Sequence, residues 1–138
     1  MRNILFTLAM FACAQTAHAA RINHLVFQGG AVHLVCTWNN GPNLSPTESL
    51  LGLEWKKAAD HSAIEAPGSF KVELVMPAMG HGSSPTQINR VIDERGQPVL
   101  GAYQVTGMYF TMNGDWEVRV TLRTSDGKVE TEMFPVHL

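Results

Sequence analysis

The sequence predicts an all-β domain, an antiparallel β-sandwich of about seven strands. Three observations carry that expectation. Apolar and polar residues alternate with period two in several short runs, most clearly where Trp116, Val118, Val120 and Leu122 interleave with Glu117, Arg119, Thr121 and Arg123. Turn formers such as Gln28-Gly29-Gly30, Asn113-Gly114 and Ser125-Asp126-Gly127-Lys128 interrupt the chain roughly every ten residues, the spacing of sandwich strands. Beyond the N-terminal segment, no stretch makes a convincing helix.

The first segment is read differently from the rest. Met1-Arg2-Asn3 carries one positive charge, residues 4–14 are apolar or small apart from Thr7, and Ala17-His18-Ala19 fits a small-x-small cleavage site. This is the layout of a secretory signal peptide whose apolar core is too short to span a bilayer. Residues 1–19 are therefore expected to be removed near Ala19, leaving 20–138 as one domain, periplasmic or secreted and not stably inserted in a membrane.

Strands are expected at residues 22–27 and 32–38, split by Gln28-Gly29-Gly30. Residues 39–46 are dense in Asn, Gly and Pro and must be a loop. Residues 50–57 suit a strand or a short helix, with Gly52 and Trp55 favouring the strand; 58–69 is small and polar, a loop. Val72, Leu74 and Met76 alternate with Lys71, Glu73 and the exception Val75 over 71–76, so Met76 ends an inward-facing stripe. Residues 87–92 form a weaker strand, ended by Asp93-Glu94-Arg95-Gly96-Gln97-Pro98. Residues 103–112 are β-rich, with Gly107 marking a bulge. Asn113-Gly114 signals a hairpin into 116–123, and 129–136 closes the domain. Trp116, Val118, Val120, Leu122, Val72 and Leu74 are expected in one core.

Charge excludes some functions. The net charge of −2 becomes −3 once Arg2 is lost, and the two signs are interspersed. Without a basic stripe, neither nucleic acid nor an anionic membrane surface is an expected partner. Removal of the leader also removes Cys13, so Cys36 is left with no partner for a disulfide. It sits in an apolar strand and reads as a small buried hydrophobe.

Chemistry concentrates in Val75-Met76-Pro77-Ala78-Met79-Gly80-His81-Gly82. Thioethers are soft neutral donors and imidazole is intermediate, so a Met/His set favours Cu(I) over Zn²⁺ or Mg²⁺. Met79 and His81 leave the same face if this segment is extended. Met108 and Met112 share parity with Phe110 and, from a neighbouring strand, could reach the same loop. The candidate ligands are Met79 and His81, completed by Met76 or Met112. Against this, Met76 by its strand parity, and Met108 and Met112 as gap-fillers, serve equally in the core, and Gly80 and Gly82 as turn residues needing positive φ. His24, His33, His61 and His137 are scattered; His24 and His33 flank a turn and could meet across a hairpin.

Met76-Pro77-x-Met79-Gly80-His81-Gly82, Gly101-x-Tyr103 and Phe110-x-Met112-x-Gly114-x-Trp116-Glu117-Val118 together resemble the YtkA-like family. That family overlaps with the domain of FixH proteins, linked to assembly of copper-containing cytochrome oxidase. The resemblance spans residues 68–123. It implies an immunoglobulin-like sandwich in an exported or membrane-anchored bacterial protein, often near copper handling or efflux.

No Gly-x-Ser-x-Gly elbow, Cys/His pair or His-Glu-x-x-His spacing is present, so an enzyme is not expected. The leading expectation is an exported domain that binds or delivers Cu(I), with a periplasmic or membrane protein as copper acceptor or efflux component. The alternative is a metal-free adaptor whose Met-Pro-x-Met-Gly-His-Gly loop is structural. A third is a sandwich that binds a small organic ligand between Trp55 and Tyr109.

Overall fold

The structure, a computed structural model, describes residues 21–138 apart from the side chain of His81. The expected leader at 1–19 lies outside the described residues. Nine strands form two antiparallel sheets: β1 (Ile22–Phe27), β2 (Val32–Asn40), β3 (Ser49–Lys57), β4 (Gly68–Met76), β5 (His81–Gly82), β6 (Gln87–Ile92), β7 (Pro98–Met108), β8 (Asp115–Thr124) and β9 (Val129–His137). One sheet has the order β1-β2-β3-β7-β6 and the other β5-β4-β8-β9. The chain changes sheet after β3, after β5 and after β7. No helix among the described residues is long and apolar enough to cross a membrane.

The alternation read from the sequence decides which faces meet. Leu34, Cys36 and Trp38 of β2, Leu51, Leu53 and Trp55 of β3, and Val105 and Met108 of β7 point inward from the first sheet. Val72, Leu74 and Met76 of β4, with Trp116, Val118, Val120 and Leu122 of β8, answer from the second. All six residues expected to share a core do so. Ser49 is the one polar residue buried with them among the described residues. Its hydroxyl is satisfied by accepting from the Asn43 amide N–H at 2.8 Å, as a buried polar group requires.

Cys36 is fully buried, and burial pushes its thiol up to about 12 because the charged form has no solvation there. Such a thiol is inert at neutral pH. Gly107 lies in a bulge, as expected: the β3–β7 register steps from Leu51↔Val105 to Ser49↔Met108, and Gly107 takes φ +72°.

Three expectations are corrected. There are nine strands rather than about seven, and the two-residue β5 has no counterpart in the sequence pattern. The strand expected over 103–112 spans Pro98–Met108 instead, so Met112 is not on a strand and shares no strand parity with Met108. Asn113-Gly114 makes no hairpin, because β7 and β8 belong to different sheets and the dipeptide lies in the crossing between them.

Candidate functional site

The methionine loop begins where β4 ends. Pro77 fixes φ and removes an amide donor, which suits the first position of a helical turn. Pro77–Met79 accordingly form one 3-10 turn, closed by Gly80 N–H donating to Pro77 O at 3.2 Å. Gly80 sits at φ +65°, the left-handed geometry that favours glycine. Met79 and His81 are therefore not two residues of an extended segment, and the same-face expectation does not apply. The turn brings the chain back so that His81 pairs with Met76, and Gly82 with Val75.

Gly82 serves a different purpose from Gly80. Its φ is not positive, but a Cβ there would lie 2.8 Å from Leu74 O. Beyond it, Ser83 N–H donates to Leu74 O at 3.1 Å. Pro85 has no N–H with which to continue the ladder. The Thr86 hydroxyl donates to Val72 O at 2.6 Å instead, and the chain crosses to β6. Between the 80–86 segment and β4 lies a cleft of about 500 Å³, bordered by Lys71, Glu73, Gly82, Pro85 and Arg119.

The four candidate ligands fall at one end of the sandwich in different states. Met76 is buried, with its Cε against Gly114, so it packs in the core as its strand parity indicates. Met79 is 53% exposed and Met112 is 39% exposed. β8 lies against the Pro77–Met79 turn, and the 109–114 crossing enters β8 over Met76. The buried Trp116 indole N–H donates to Met112 O at 3.0 Å, anchoring that crossing. The backbone of His81 is placed by β5, while its side chain lies outside what is described. Met108 is fully buried and serves the core.

Elsewhere, the cross-hairpin meeting of His24 and His33 is offset: His24 pairs with Val35, and His33 with Val26. Trp55 is fully buried, so it offers a small ligand no aromatic wall from solvent. Among the described residues, no group of three or more His, Cys, Asp or Glu side chains is arranged to hold a metal ion. The donors that the sequence of the methionine loop offers are thioethers and one imidazole, a set whose softness fits Cu(I) and fits Zn²⁺ or Mg²⁺ poorly. Comparison with protein-family models, curated proteins and solved structures finds no match to this chain.

Proposed function

We propose that the chain is an exported, YtkA-like, immunoglobulin-like sandwich that binds Cu(I) at its methionine loop and hands it to a periplasmic or membrane protein. Met79 and His81 are the essential ligands, and Met112 rather than the core residue Met76 completes the set. The supporting observation is the exposure of Met79 and Met112 at the same end of the sandwich. Neither thioether is needed to fill the core, unlike Met76 and Met108. Two or three neutral ligands at a solvent-open loop hold the ion modestly, which suits transfer rather than storage.

The test is anaerobic Cu(I) titration against a competing chelator for the wild type, Met79→Leu, His81→Ala and Met112→Leu. Leucine conserves volume, so the fold survives and only the donor is lost. Loss of an outer-shell partner alone typically costs about 10–100-fold in metal affinity, so Met79→Leu and His81→Ala should each weaken binding by at least about tenfold. Equal binding by all four proteins, or none by any, sinks the copper reading.

A second reading has its own support in the cleft beside the loop. Its rim carries Lys71, Glu73 and Arg119 beside an incompletely paired stretch of β4, features of a protein-interaction module. On that reading the loop is a structural corner. A partner that binds wild type and Met79→Leu equally would favour it.

A further inference from the structure

At the opposite end of the sandwich, two imidazoles meet that the sequence keeps 28 positions apart. The ring centroids of His33 and His61 lie 6.1 Å apart, with their planes at 51°. His33 stands on the outward face of β2, half-buried, paired across the sheet with Lys56 of β3. His61 follows β3 in a turn that folds back over that face. The turn is held by its backbone: Ala58 N–H donates to Ala31 O at 3.0 Å, His61 N–H to Lys57 O at 3.0 Å, and Lys57 N–H to Ser62 O at 2.9 Å. Asp60 Oδ1 accepts from the Ser62 amide at 3.0 Å and from its hydroxyl at 2.7 Å. His61 itself is held at φ +57°, where few non-glycine residues sit.

Both rings keep their nitrogens uncommitted. Among the described residues, the imidazole engaged in a hydrogen bond or ion pair is that of His137, with Asp115 at 2.6 Å. The distance between His33 and His61 suits a shared ion. With metal–nitrogen bonds of about 2.0–2.1 Å, a ring centroid lies about 3.2 Å from the ion, so two rings on one ion are about 5.2 Å apart at a tetrahedral angle and about 6.4 Å apart when opposed. The observed 6.1 Å falls inside that range. The cation nearest in register, Lys56, is neutralised by Glu54 at 2.9 Å.

We propose that His33 and His61 form a two-imidazole site for a divalent transition ion of the borderline class. Imidazole suits these ions, and affinity rises from Ni²⁺ to Cu²⁺ and falls again at Zn²⁺, so Cu²⁺ is held most tightly. Two protein ligands leave the remaining positions to water. The site stands apart from the methionine loop in place, uses no thioether, and does not depend on that loop's function.

The experiment is aerobic Cu²⁺ titration of the untagged protein, followed by electron paramagnetic resonance and by competition with a chelator. Variants are His33→Asn, His61→Asn and His24→Asn; asparagine also tolerates the left-handed backbone at 61. One equivalent of Cu²⁺ should bind with two nitrogen ligands. His33→Asn and His61→Asn should each remove one nitrogen and weaken binding by at least about tenfold, given that losing an outer-shell partner costs about 10–100-fold. His24→Asn should bind like the wild type. The proposal is overturned if the wild type takes up no Cu²⁺, or if either His33→Asn or His61→Asn retains wild-type affinity and nitrogen count.

Discussion

The two ends of this sandwich use their aromatic residues differently. At the methionine-loop end, Trp38, Phe110 and Trp116 form a chain with centroids 6.0 Å and 5.5 Å apart. There the Trp116 indole N–H reaches out of the core to the Met112 carbonyl. At the other end, Phe27, Trp55 and Phe70 pack at 5.4 Å and 5.3 Å, but the buried Trp55 indole N–H has no hydrogen-bond partner among the described residues. One tryptophan ties a loop to the core; the other contributes apolar area and carries an unsatisfied donor. A large buried aromatic is thus not one kind of residue, because its polar handle can position a loop or cost stability.

Trp116→Ala should have the largest effect, about 3–5 kcal/mol, since it empties a core site and frees the Met112 carbonyl together. Denaturant unfolding measures it, and a loss below about 1 kcal/mol would contradict the packing described. The sharper comparison is between Trp116→Phe and Trp55→Phe. Each shrinks a ring, but the first gives up a hydrogen bond and the second removes an orphaned donor. Trp116→Phe should therefore cost about 1–2 kcal/mol more than Trp55→Phe. Equal losses would mean that the Met112 tether contributes nothing net to stability.

The smallest effect is electrostatic. The two hydrogen bonds from the Arg90 guanidinium hold the Glu65 carboxyl below its ordinary value near 4.5. Arg90 also lies over the Tyr103 ring, 5.2 Å from its centroid, so the ion pair ties the 58–67 loop to β6 and β7. A carboxyl whose folded pKa is depressed stabilises the fold above its unfolded pKa, and that contribution is lost as pH falls through the folded value. The loss should therefore come only below about pH 4.5. The group is exposed, so the effect should be slight. Titration of the Glu65 carboxyl by nuclear magnetic resonance in wild type and Arg90→Gln reads it. The midpoint should rise in the variant, and an unchanged midpoint would remove the ion pair from the account.

Much of the fold was legible because burial in a sheet writes itself into sequence with period two. Trp116, Val118, Val120 and Leu122 announced β8, and Val72, Leu74 and Met76 announced β4, including the inward turn of Met76. A local pattern also suffices for Cys36, whose same-face neighbours on β2, Leu34 and Trp38, are apolar. The candidate site was legible only as composition. Met79-Gly80-His81 marks a loop with soft donors, but not that Pro77 and Gly80 would make a 3-10 turn instead of an extended segment.

What tertiary structure decided is which distant segments meet. Asn113-Gly114 has the chemistry of a hairpin turn, yet β8 pairs with β4 and β9, so the dipeptide became a crossing between sheets. Strand pairing is chosen by the global burial of both faces, which no turn dipeptide encodes. The same holds for β5: two residues cannot show a periodicity, and they form a strand because the 3-10 turn returns them to the edge of β4. His33 and His61 are the clearest case. Each alone is a polar residue near a turn, and only the fold-back after β3 places their rings 6.1 Å apart.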